Sequence, residues 1–139
     1  MQSDHWEIVA VQNRYAEACD QRNWALFDEV FTDDVETEYA APPVTGRAER
    51  VASIRSHLGG CGTTQHLLGN YNVEVDGDHA QASCYVRAFH LGADRPELHY
   101  EMFGRYHDRL VRTADGWRIS YRRLEVVFEL GTRAVLAPG

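Results

Sequence analysis

Apolar positions recur at helical spacing from the start of the chain. At about 100° per residue, Ile8, Val11, Tyr15, Ala18 and Cys19 fall on one arc, with Val9 and Ala16 at its edge. Ser3 stands where a cap belongs, and Asp4 and Glu7 suit a first turn, where the helix dipole favours negative charge. Arg14, Glu17 and Gln21 take the opposite side. Asp20 does not fit this division. It lies beside Val9 and Ala16, at the margin of the apolar arc and at the C-terminal end of the helix, where a carboxylate meets the negative end of the dipole. A residue so placed against its local interest points to a partner elsewhere in the fold.

The segment NWALFDEVF predicts a short second helix, capped by Asn23, with Trp24, Phe27 and Val30 or Phe31 inward. TDDVETEYA alternates as a strand does, and the two prolines of APPVTG make a loop. A third helix is expected from about Arg47 to Leu58, with Ala48, Val51, Ile54 and Leu58 inward and a stop at Gly59–Gly60. From there the pattern is β. TTQHLLGNYNVEV and HAQASCYVRAFHL meet across DGD as a hairpin. A strand from about His99 to Arg112 is joined through TADG to WRISYRRLEVVFEL, and the tail GTRAVLAPG is expected to be irregular. Three helices with one early strand, then an antiparallel meander, define an α+β class in which helices cover one face of a curved sheet. Residues 1–139 are expected to form a single domain.

The hairpin raises a question of parity. A two-residue Asp76–Gly77 turn places Leu67, Tyr71, Val73, Val75, Ala80, Ala82, Cys84 and Val86 on one apolar face. His66, Leu68 and Asn70 then share the other face with Tyr85, Arg87 and Phe89, while His90 falls on the first. A three-residue turn or a bulge instead brings His66 and His90 to the same side. Both alternatives stand at this level.

Composition narrows the partners. Hydrophobic residues make 44% of the 139 positions and the net charge is −7, an acidic balance that argues against nucleic acid and anionic membrane surfaces. Cys19, Cys61 and Cys84 are odd in number and lack C-x-x-C spacing, so three reduced thiols in a cytoplasmic protein are expected. The start MQSDHWEIVA has no signal-peptide pattern. No ligand spacing suggests a metal.

The stretch from Tyr15 to Val35, YAEACDQRNWALFDEVFTDDV, resembles the opening of SnoaL-like proteins, in the cone-shaped superfamily that includes nuclear transport factor two. TGRAERVASIR, TQHLLGN, VDGDHAQASCYVRAFH and DGWRISYRR follow in that family's order, so the resemblance covers roughly residues 5 to 130. It implies three N-terminal helices packed on a strongly curved, mainly antiparallel sheet. It also implies kinship with small cofactor-independent lyases: scytalone dehydratase, hexachlorocyclohexane dehydrochlorinase and bile acid 7α-dehydratase. In those enzymes an Asp on the first helix and a His on a strand form a dyad, and Asp20 and His66 stand in those places. Arg122 resembles the dehydrochlorinase's pocket arginine, Tyr39 and His90 a tyrosine and a second histidine of scytalone dehydratase, and Tyr15 a tyrosine of the bile acid enzyme. No single relative supplies all six positions, and the dehydrochlorinase's pocket lysine has no counterpart here. Arg123 is the alternative inward arginine, because adjacent strand residues face opposite sides.

These residue types suit proton abstraction from carbon. Imidazole titrates near neutrality, and a buried carboxylate fixes its tautomer and stabilises the imidazolium. Tyr15, Tyr39 and Arg122 are candidate partners for a developing oxyanion, the tyrosines equally readable as core aromatics with a bonded tip. The expectation is an elimination of dehydratase type on a small, mostly apolar, oxygenated molecule. An isomerase or polyketide-type cyclase would use the same parts. Epoxide hydrolysis ranks lower for want of a second aspartate. A non-catalytic ligand-binding or dioxygenase small-subunit-like module is the reading from another class. Family likeness also implies a homodimer or homotrimer and no cofactor.

Overall fold

The structure is a computed structural model that describes residues 3–39 and 41–136. Helix α1 spans Asp4–Asp20, and the Ser3 hydroxyl accepts the Trp6 amide at 3.3 Å, as a cap should. Its predicted inward residues are all buried, and so is Gln12. The expected second helix is a 3-10 segment, Trp24–Glu29, with Asn23 accepting the Leu26 amide at 3.3 Å. The three-residue spacing of Trp24 and Phe27 suits that tighter helix, which eclipses i and i+3. Their rings stack with centroids 6.3 Å apart, and Phe27 stacks on Phe31 in turn.

Strand β1 (Phe31–Glu38) and the two-residue β2 (Val44–Thr45) flank the proline loop; Ala40, within the expected strand, lies outside the described residues. Helix α2 spans Arg47–Leu58, the expected limits. Its buried stripe is Arg50, Ile54 and Leu58, whereas Ala48 is exposed and Val51 half-buried, so the inward face is turned from the expected one. Four long strands complete the chain: β3 (Cys61–Asp76), β4 (His79–Gly92), β5 (His99–Thr113) and β6 (Gly116–Gly131). The tail is irregular only in part. Arg133–Val135 forms a 3-10 turn with Val135 buried, and residues 137–139 lie outside the description.

The sheet order is β2-β1-β6-β5-β4-β3, antiparallel except where β1 runs parallel to β6. The class is therefore α+β, with the helices on one face of a curved, open sheet. Bulges supply bending, because an extra residue in one strand kinks it. The extra residues are Ser120 and Val127 of β6, opposite the Arg109–Leu110 and Phe103–Gly104 steps of β5, and two further bulges lie in β3. The side chains of Ala80, Ala82, Cys84, Val86, Ala88 and His90 form the inner face of β4 against the helices. Ile8, Phe27, Val30, Val35 and Ile119 are wholly buried between the layers, each contributing roughly 1.5–3 kcal/mol of transfer free energy.

One β3 bulge settles the parity question. The tight turn is Gly77–Asp78, since Asp76 pairs with His79 and Val75 with Ala80. Further along, Gly69 pairs with Tyr85 but Asn72 with Ser83, so β3 spends three steps where β4 spends two. Asn70 sits in the surplus with φ 52°, a left-handed conformation that asparagine tolerates better than most residues. Beyond it the inward set changes from Tyr71 and Val73 to Leu68, His66 and Thr64. His66 and Leu68 are thus inward, and Leu67, expected on the apolar face, is 63% exposed. His66 pairs with Ala88 and Thr64 with His90, which brings both histidines to one side.

Candidate active site

Asp20, at the last turn of α1, faces three donors. Its Oδ1 accepts from His66 Nδ1 at 2.7 Å and from the Thr64 hydroxyl at 3.0 Å, and its Oδ2 accepts the His66 backbone N–H at 2.8 Å. This offsets the unfavourable helix end. Burial pushes the carboxyl upward, but the His66 ring and amide and the Thr64 hydroxyl outweigh it and hold Asp20 below its ordinary value. With Asp20 ionised, Nδ1 of His66 carries the shared proton and Nε2 is left without a partner among the described residues. Arg22 braces the pair from behind. It has φ 53°, and its guanidinium donates to Thr64 Oγ1 at 2.7 Å and to the carbonyl of Gly62 at 2.8 Å.

His66 opens onto a cavity of about 240 Å³ between the helices and the inner face of the sheet. Tyr15, Tyr39 and His90 also line it, with Ile54, Leu58, Ala88, Met102 and Val126 as apolar wall. The Tyr39 hydroxyl donates to that of Tyr15 at 2.9 Å. Burial raises both phenols, Tyr15 well above its ordinary value, so they remain neutral. His90 donates Nδ1–H to the carbonyl of Tyr100 at 3.0 Å, and its ring centroid lies 5.8 Å from that of His66. Burial first, then proximity to His66 and Arg22, pushes His90 down to about 4. It is neutral at ordinary pH and presents Nε2 as an acceptor.

Arg122, not Arg123, is the inward arginine, and it is fully buried. It does not line the cavity. Its Nε and Nη2 donate to Asp108 at 2.7 and 2.8 Å, and Gln12 donates to the same carboxylate at 3.1 Å. The guanidinium lies 3.8 Å from the ring centre of Tyr106 and 4.3 Å from that of Tyr15. Burial works against its charge, but Asp108 outweighs it. The pair forms a charged floor beneath the tyrosines.

Five of the six predicted residues therefore meet at the cavity or directly behind it, and Arg122 supports them from below. Sequence reasoning missed Thr64, Arg22 and Arg50. Thr64 stands two residues before His66 and so shares its face, a signal open to anyone placing His66 inward. Arg22 depends on a left-handed backbone that its residue type does not announce. A larger open groove of about 450 Å³ lies on the outer sheet face among Gln81, Ser83, His107, Arg109 and Arg123, and holds none of the six. Among the described residues no group of three acidic, histidine or cysteine side chains is arranged as metal ligands, and no helix is long and apolar enough to cross a membrane.

An open α+β cone with an imidazole–carboxylate pair behind an apolar pocket defines a recognisable class of small domain. The chain belongs to the SnoaL-like domain family, whose model matches residues 2–123. It is similar to an uncharacterised protein of Mycobacterium tuberculosis, Rv2910c, at 37% identity over 127 residues, covering 88% of this chain and 84% of that one. Among solved structures it is similar to the Kfla4162 protein of Kribbella flavida, with TM-score 0.87, 28% identity and 96% of each chain covered. It shares its fold with a protein provisionally named a scytalone dehydratase from Novosphingobium aromaticivorans (TM-score 0.80, 20% identity, 94% and 89% covered). It shares it also with a type 2 hexachlorocyclohexane dehydrochlorinase, LinA (TM-score 0.77, 14% identity, 88% and 84% covered).

Proposed function

We propose that the protein is a cofactor-independent lyase of the elimination type, with His66 as general base and Asp20 as its orienting carboxylate. The observation that carries this reading is the 2.7 Å contact between Asp20 and His66 Nδ1, which commits the other ring nitrogen to the cavity. The dehydratase and dehydrochlorinase names borne by two fold neighbours support the same class.

In the reaction, His66 Nε2 takes a proton from carbon. The C–H electron pair becomes the second bond of the alkene, passing through an enolate where a carbonyl adjoins. The leaving group departs with its own bonding pair. If it is hydroxyl, the proton held by His66 completes a molecule of water and the imidazole returns to neutral, with no net oxidation. The neutral phenols of Tyr15 and Tyr39 suit a developing oxyanion, and the acceptor Nε2 of His90 suits a substrate hydroxyl. The apolar walls exclude competing water, which strengthens each of these contacts.

The test is a panel of small 3-hydroxy acids and ketones, followed by the ultraviolet absorbance of the conjugated alkene. Wild type is expected to turn over one member, and His66→Ala and Asp20→Asn to lose about 10²–10⁴ of that rate. Turnover that survives both changes nearly intact would falsify the dyad.

A further inference from the structure

Arg50 is 4% exposed and lines the same cavity from α2. Its bonds all go to neutral groups. Nε donates to the Thr37 hydroxyl at 2.6 Å, Nη1 makes a long 3.5 Å contact with Ser53 Oγ, and the guanidinium lies 4.1 Å from the ring centre of Tyr39. No carboxylate among the described residues pairs with it. A buried cation without a counter-charge is unfavourable, and a protein of net charge −7 has carboxylates in excess. The other buried arginine, Arg122, has one.

The lining around Arg50 follows the same sense. Ser53 and His57, three and seven positions on, continue its helix face along the cavity. Arg133 lines it as well but is paired with Glu129, and among the described residues no aspartate or glutamate lines the cavity. With Nε held by Thr37, the two terminal nitrogens remain to make the forked contact that guanidinium gives a carboxylate. We propose that Arg50 is the anchor for a substrate carboxylate, so that the ligand of this cavity is a small, otherwise apolar carboxylic acid. A volume of about 240 Å³ fits one ring or a short chain, being below the roughly 300–1,000 Å³ of pockets for drug-sized ligands. The anchoring itself needs no chemistry; that the anchored acid undergoes elimination rests on the lyase reading.

Calorimetric binding of benzoate and of its neutral isostere benzamide separates the two claims. Wild type is expected to bind benzoate at least about tenfold more tightly, and His66→Ala to keep that preference. Arg50→Gln is expected to abolish it, with an unchanged circular dichroism spectrum, while Arg133→Gln keeps it. Equal affinities in wild type, or a preference that survives Arg50→Gln, would overturn the proposal. If Arg50→Gln does not fold, Arg50→Lys retains the charge and loses the fork, and should reduce the preference; an unreduced preference counts against the anchor. A benzoate preference in a protein that turns over no acid would leave the anchor standing and sink the lyase.

Discussion

Arg122 and Arg50 are both buried, both lie against a tyrosine face, and together they bracket the hydrogen-bonded Tyr15–Tyr39 pair. They differ in what answers their charge. Arg122, on β6, meets Asp108 through two short bonds, with Gln12 completing the set. Arg50, on α2, meets hydroxyls and a ring. A paired ion is part of the fold's own architecture, whereas an unpaired one at a cavity wall is directed at something that arrives from outside. The two histidines at the cavity differ in another way: each has Nδ1 bonded, His90 to a backbone carbonyl and His66 to a carboxylate, and only the carboxylate can stabilise a charged ring.

The largest effect expected from this contrast is at the floor. Asp108→Asn strands the Arg122 charge and should lower unfolding free energy by about 3–5 kcal/mol, read from urea denaturation. Replacing the pair together, Arg122→Met with Asp108→Leu, should recover most of that loss, because the burden lies in the uncompensated charge. At the dyad, Asp20→Asn removes the partner of His66 Nδ1 and should affect turnover far more than folding. A loss confined to stability would recast Asp20 as a structural tie between α1 and β3. At the wall, Arg50→Gln should change stability by less than about 1 kcal/mol in either direction, since the ion it removes has no ionic partner. A loss as large as that at Asp108 would mean that Arg50 belongs to the architecture too.

A separate effect concerns pH. Folded His90 binds its proton only near pH 4, while in the unfolded chain it titrates at its ordinary 6.5. Between those values the unfolded state holds more protons, so stability falls as pH falls, by at most about 1.4 kcal/mol per pH unit. His90→Gln should flatten that part of the stability curve from pH 6.5 to 4.5. An unchanged slope would assign it to other groups.

Much of the fold was legible because its signals are local. Ser3, Asn23 and Gly59 mark helix ends that the structure keeps, and the DGD and TADG turns mark two hairpins. Asp20 was legible as an anomaly, a charge placed against its own helix. Arg50 was not, because an arginine on a helix reads as a solvated residue, and only packing of α2 over β1 decides that it is enclosed. The parallel contact of β1 with β6 pairs residues 85 to 88 positions apart, Phe31 with Ile119 and Glu36 with Tyr121 among them, a pairing on which no local pattern bears. The side taken by His66 hung on whether one extra residue was accommodated in β3, and Asn70 announces a left-handed turn only to a reader who already knows the register.

That extra residue ties the site to the way a strand is paired rather than to any side chain in it. Drawing Asn70 into regular pairing opposite Tyr85 would leave every chemical group of the dyad in the chain, yet it would carry His66 to the outer surface opposite Phe89, with Leu67 in its place. Removing Asn70 altogether would close the ladder without a break and keep His66 opposite Ala88. The pocket therefore tolerates the loss of the residue better than its incorporation, and the imidazole's address is written in the ladder as much as in the sequence.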